Sequence, residues 1–213
     1  MSTTRKFVVL VLSLLLAAFG IGLQIKAAIG LAPFDALNQT LAYLFEIKVG
    51  DVVTYLQIFF VVFQVLILRK ETKWTILLQV FVGALLGQFV NFFVYNVFGN
   101  LVVDSYLLNA MLLAFAAVWT PFFIGSVMVL DLVTMPIESF SMVVSERTKF
   151  SFGQIRQFAD ILFLVASIVI TLAYSFTFTI REGTIVSALT FGPLLSVYMP
   201  IIEKLFRKWN IIK

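Results

Sequence analysis

The sequence contains no cysteine and no histidine. Without them there is no disulfide, no thiolate nucleophile, no haem or zinc centre of the usual kind and no imidazole acid–base chemistry. Redox and zinc enzymes are therefore excluded as readings, and no metal or cofactor is expected. Charge is nearly as scarce: Asp, Glu, Lys and Arg make up 12% of the 213 residues, about half of the ~25% found in a soluble domain. What is present is apolar. The chain is 62% hydrophobic, with 24 phenylalanines, and its mean hydropathy is +1.07. A water-soluble core of this size could not hide so much apolar surface, so lipid is the solvent for most of the chain. The net charge of +4 then reflects Lys and Arg in cytoplasmic loops and not an anionic partner. The expected partner is the bilayer, and nucleic acid is not one.

A membrane helix needs about 20 apolar residues. Six uncharged segments qualify: Phe7 to Ile25, Val52 to Leu68, Trp74 to Val97, Tyr106 to Leu130, Ile161 to Ile180 and Thr184 to Ile202. Arg5 and Lys6 ahead of the first segment have the order of a signal peptide, but the run is long enough to span and no clear small-residue cleavage site follows it, so a retained helix is expected. With six spans, Arg5, Lys6, Arg69, Lys70, Lys73, Arg147, Lys149, Lys204, Arg207, Lys208 and Lys213 fall on one side. Positive loops resist translocation, so that side is the cytoplasm, with both termini on it, in the cell membrane. Counting 33–46 and 136–149 as further spans would put Arg69, Lys70 and Lys73 outside. Trp74 and Trp209 sit at the cytoplasmic interface and Tyr95 and Tyr106 at the external one.

The chain resembles itself. A shift of 103 residues superposes Gly22 on Gly125, Pro33 on Pro136, Asp35 on Glu138 and Gly50 on Gly153; a shift of 109 then superposes Thr75 on Thr184 and Gly83 on Gly192. Glycine and proline number only 11 and 5, so these coincidences carry weight. The single membrane domain, residues 1–213, thus divides into repeats 7–98 and 106–205. Each holds three spans, an odd number, so the second lies upside down relative to the first. The expected fold is an all-α polytopic bundle of six transmembrane helices in two inverted repeats, each with a short extra helix. Many secondary transporters are built this way around a midplane site; duplication is also simply an easy way to make a bundle.

Ile29-Gly30-Leu31-Ala32-Pro33-Phe34-Asp35, Val49-Gly50-Asp51, Gly183-Thr184 and Gly192-Pro193 together resemble the bacterial YczE/YyaS/YitT group of small integral membrane proteins. The likeness runs over nearly the whole chain. It departs at Phe34, where such proteins carry Trp, and at Glu182, where they carry Gly. The resemblance implies a multi-pass bacterial membrane protein and no particular substrate.

The repeated motif is Pro-x-acid, at Pro33-Phe34-Asp35 and Pro136-Ile137-Glu138. Proline has no amide to waste at a first helical position, and an acid two residues later meets the positive end of the helix dipole. Each copy therefore starts a short helix. Asp35 with Asn38, and Glu138 with Ser141, then share a face opposite an apolar stripe. These faces either line a cavity that binds a proton or a cation, or lie in the interface with the acids as caps. The length and apolar content of 33–46 favour helices that dip inward over two that stand the hydrocarbon thickness, ~30 Å, apart. Arg156 and Asp160, spaced i, i+4 ahead of the fifth span, either gate a pathway or anchor at the headgroups. Gly83 and Gly87 form a GxxxG that allows close helix approach, within the bundle or between protomers. Gln79, Gln88 and Asn91 share that helix, Pro121 and Gly192-Pro193 bend their spans, and Gly20-Ile21-Gly22 sits inside an apolar span, where it implies no dinucleotide fold.

No catalytic residue stands out, so the chain is not read as an enzyme. The expected function is a small secondary transporter or permease for a small molecule, with proton coupling, using Asp35, Asn38, Glu138, Ser141, Arg156 and Asp160. The alternative is a non-transporting scaffold that binds a partner protein. Homo-oligomerisation is left open.

Overall fold

The structure is a computed structural model that describes residues 3–72 and 74–212. Lys73 and Lys213, two of the residues that orient the chain, lie outside the described residues. Eight α-helices and no strand occur among the described residues: α1 (Thr3–Ala27), α2 (Pro33–Phe45), α3 (Val49–Leu68), α4 (Thr75–Asn91), α5 (Tyr106–Val129), α6 (Pro136–Glu146), α7 (Phe152–Tyr174) and α8 (Glu182–Lys208). A π-helical turn, Phe92–Val97, prolongs α4. Six of the helices are long and apolar enough to cross a bilayer. The chain is a multi-pass membrane helix bundle, and its long helices turn large side chains such as Phe59, Phe81, Met111, Leu172 and Leu189 outward. In water such a surface would aggregate; in lipid it is the solvated face.

The order long, short, long, long occurs twice, with lengths of 25, 13, 20 and 17 residues and then 24, 11, 23 and 27. Contacts between connections show that successive long helices alternate in direction. On the face carrying the chain ends, Lys6 Nζ donates to the Leu130 carbonyl at 3.3 Å and Arg147 pairs with Glu71. On the opposite face, Lys26 Nζ reaches the Gly99 carbonyl at 3.4 Å and Tyr106 donates to Glu182 at 3.1 Å.

The fifth span differs from expectation. It runs Phe152–Tyr174 and not 161–180, and so contains Arg156 and Asp160. Local chemistry sets both ends. Ser151 and Gln154 form a capping box, the Ser151 hydroxyl accepting from the Gln154 amide at 3.3 Å and the Gln154 side chain from the Ser151 amide at 2.9 Å. Ser175, with φ 55°, closes the other end in the left-handed conformation. A search for uncharged runs skips the first two turns of such a helix.

α1 and α5 pack against each other at the centre, α1 also against α4 and α5 against α8. Trp119 Nε1 donates to the Leu16 carbonyl at 2.8 Å, and a side chain at Gly20 would run into Thr120. The short helices cross between repeats: α2 packs on α7 as well as α3, and α6 on α3 as well as α7. α3 and α4 form a tight seam, whereas α7 and α8 have no comparable one among the described residues.

Candidate functional site

Each short helix is led into the bundle by a pinned connection. After α1 the chain turns at Gly30, whose φ of 137° few side chains tolerate. This turn brings the Ile29 carbonyl to the Gly183 amide at 2.9 Å and the Leu31 amide to the Thr184 hydroxyl at 3.1 Å, fixing the start of α2 to the start of α8. Pro33 then opens α2 at its first position, with Asp35 in the first turn. Thr40 completes the attachment through its hydroxyl, 2.8 Å from that of Thr179.

α6 is held from another direction. Gln64 Nε2 donates to the Pro136 carbonyl at 3.0 Å and to Gln79 Oε1 at 3.1 Å. Gln79 Nε2 donates to Ser139 at 2.9 Å, and Ser139 donates back to Gln64 Oε1 at 2.8 Å. This closed ring ties α3, α4 and α6 together. Gln64 and Gln79 are each legible in the sequence as a polar residue inside a span; their meeting with Ser139 is not, because only the fold brings the three together.

The polar faces of the short helices point inward. Asn38 and Ser141 have no exposed surface, Glu138 retains 4% and Asp35 9%, which favours the inward arrangement over flat interfacial helices. The apolar stripes meet at the centre of the bundle. Phe34 packs on Phe163 of α7 with ring centroids 5.5 Å apart, Phe140 on Phe60 of α3 at 5.4 Å, and Phe60 on Phe163 at 6.1 Å. Phe60 and Phe163 are separated by the repeat offset of 103, as are Gln57 and Asp160, and Asn38 and Ser141. The two repeats therefore meet at equivalent residues.

Arg156 and Asp160 pair on α7, with side chains 17% and 25% exposed, and so are partly buried against the bundle. Asp35 feels the charges of Arg156, Asp160 and Glu138, and Glu138 those of Arg156 and Asp160. α2 and α6 both pack on α7, and Phe34 and Phe60 meet Phe163 one turn from Asp160, so the four groups gather around α7 as one centre. Several polar atoms on these helices and on α3 are buried with no hydrogen-bond partner among the described residues: Asn38 Oδ1, Glu138 Oε2, Gln39 Oε1 and Gln57 Oε1. Buried polar groups are normally paired, so these oxygens are open to a donor.

A model of a family described as a family of unknown function (DUF6198) matches residues 4–200. The chain belongs to this family. The matched region contains both Pro-x-acid motifs and all four charged residues of the centre, so the site lies wholly within the DUF6198 fold. The chain is also similar to the "Uncharacterized protein YyaS" of Bacillus subtilis (strain 168), 25% identical over 201 residues, which cover 93% of this chain and 94% of that protein. The resemblance noted in the sequence is carried to YyaS and no further. No solved structure matches.

The expected glycines of the DUF6198 chain bring no polar side chain to this centre. Gly50 and Gly87 face each other in the α3–α4 seam, where a side chain on either would meet the other's backbone, and Gly83 abuts Gln57. The GxxxG thus packs within the bundle. Gly153 and Gly192 have open space at the position of a Cβ. A polar pocket of about 370 Å³, lined by Lys48, Asp51, Gln88, Asn91, Phe92 and Asn96, opens at the end of α4 where the π turn begins. Two of its side chains are held by the seam: Asn91 donates to Asp51 at 2.8 Å and accepts from the Gly50 amide at 2.8 Å.

Proposed function

We propose that this protein is a small secondary transporter that carries a small molecule through the central site, with Asp35 and Glu138 as the groups whose charge is exchanged during transport. The reading rests on one observation: two short helices entering from opposite connections deliver buried carboxylates into one shared field. An acid inside a bilayer costs roughly 2.5–3.5 kcal/mol even on insertion scales, and stability alone gives no reason to bear that cost twice. A carboxylate withdrawn from water is held as its neutral acid or against a cation, so a pair of them is a means of exchanging protons for cargo.

The unequal seams support the same reading. In an inverted repeat, one half closed and the other open is one of two states, and exchanging the conformations of the halves gives the other. α3 and α4 are closed and α7 and α8 are apart, which suits a transporter caught with one of its two seams open. The distribution of Lys and Arg supports cytoplasmic termini. An impermeant maleimide applied to intact cells should label a cysteine at Asn100 and not one at Asn210; the reverse would overturn this orientation.

The functional test uses purified protein in vesicles loaded with a pH-sensitive dye and challenged with a compound library. A compound that drives proton flux through wild-type protein, and fails to do so through folded Asp35→Asn or Glu138→Gln protein, is the expected result. Flux unchanged in both variants would assign the acids to helix capping. No flux with any compound would favour the scaffold reading.

A further inference from the structure

We infer that the central site binds an organic cation with N–H donors, an ammonium or guanidinium ion with a small apolar body, in competition with protons. The inference rests on the transporter reading for its purpose, but it concerns binding and stands or falls separately.

Charge balance comes first. Asp35, Glu138 and Asp160 supply three carboxylates; Arg156 pairs directly with Asp160, and neither Asp35 nor Glu138 has a salt bridge among the described residues. α3, α4 and α8 bring no charged side chain into the field of either acid among the described residues. Asp35 and Glu138 thus lack a salt-bridge partner there, and an anionic ligand would add to the imbalance. A neutral ligand would leave it unchanged. Protons or a cation correct it.

Hydrogen-bonding capacity points the same way. Asn38, with no exposed surface, stands one turn from Asp35 on the same face of α2, its NH2 within reach of the Asp35 carboxyl, while its amide oxygen, Glu138 Oε2 and Gln57 Oε1 are buried and unpaired. Carboxylate oxygens can only accept once ionised, and an amide can turn its oxygen toward a donor. A ligand rich in N–H groups fits such a lining. The phenyl rings of Phe34, Phe60, Phe140 and Phe163 pack on one another next to it, Phe34 adjoining Asp35 in α2 and Phe163 one turn from Asp160 in α7. They leave no cage of oxygens for a bare metal ion, which needs six or more, but their faces attract organic cations and their edges accept an apolar body.

Three probes of one shape separate the possibilities: benzylammonium, benzyl alcohol and phenylacetate, each added to the purified full chain in detergent while thermal unfolding is followed. Benzylammonium alone should raise the unfolding midpoint. Its apparent affinity should fall as the pH is lowered, by up to about tenfold per pH unit for each proton it displaces. In folded Asp35→Asn and Glu138→Gln proteins the affinity should drop about 30-fold or more, whereas Lys48→Gln, outside the centre, should leave it unchanged. Stabilisation by phenylacetate or benzyl alcohol instead, or benzylammonium binding that ignores both acid variants, would overturn the inference. Uptake of benzylammonium into vesicles tests the other claim: binding without uptake would remove the transporter reading and keep the cation site, and uptake of a neutral or anionic compound without cation binding would do the opposite.

Discussion

The α3–α4 and α7–α8 pairs occupy equivalent places in the two repeats, carry glycines at matching positions, and pack differently. In the first, Gly50 and Gly87 let two backbones touch, and α4 reaches across to cap α3: Asn91 accepts from the Gly50 amide at 2.8 Å, and the Tyr95 hydroxyl from the Val49 amide at 3.1 Å. In the second, Gly153 remains, but the positions of Gly87, Asn91 and Tyr95 are taken by Ser196, Pro200 and Lys204, and α7 caps its own start with Ser151 and Gln154. The free amides of a helix start must be satisfied by something. Where a neighbouring helix satisfies them, the pair is sealed; where the chain satisfies them locally, the pair is free to stand apart. A duplication therefore fixes which helices exist, and a few capping side chains decide which of them stay together.

The contrast can be broken most forcefully at the glycines. Gly87→Leu should abolish the folded protein or cost ~3 kcal/mol or more, because overpacking at a backbone contact cannot be relieved by a rotamer change. Gly192→Leu, facing open space, should stay within ~0.5 kcal/mol of wild type. Thermal unfolding in detergent reads both, and equal effects would mean that the seams are alike.

The next effect is smaller. Asn91→Ala removes the partner of Asp51 and of the Gly50 amide, and should destabilise by about 1–3 kcal/mol. Ser151→Ala, at the locally capped start of α7, should cost only about 0.5–2 kcal/mol. Hydrogen exchange at the first turns of α3 and α7 would sharpen the difference, with faster exchange expected at α3 in the first variant and at α7 in the second.

The bundle and the short helices were legible because their signals are local. Apolar length marks a span, and Pro33-Phe34-Asp35 and Pro136-Ile137-Glu138 mark a helix start wherever they occur. Asp35, Asn38, Glu138 and Ser141 were legible as a pair of faces for the same reason. The start of α7 was not, since a hydropathy scan rejects Arg156 and Asp160 while the helix is set by the capping box before them. Nor was the ring of Gln64, Gln79 and Ser139, whose members are 60 to 75 residues apart except for one pair on neighbouring helices. Polar residues scattered over three helices have no sequence period, and only tertiary packing assembles them.

The central claim is that Asp35 and Glu138, carried on helices from opposite connections, act as one unit. A double-mutant cycle on the stability of the purified protein tests it, with Asp35→Asn, Glu138→Gln and the double variant compared at neutral pH. Groups in one field should be non-additive by more than ~0.5 kcal/mol, the first neutralisation relieving the acid that remains. Additivity within ~0.3 kcal/mol, the behaviour of groups set far apart, would contradict a shared centre.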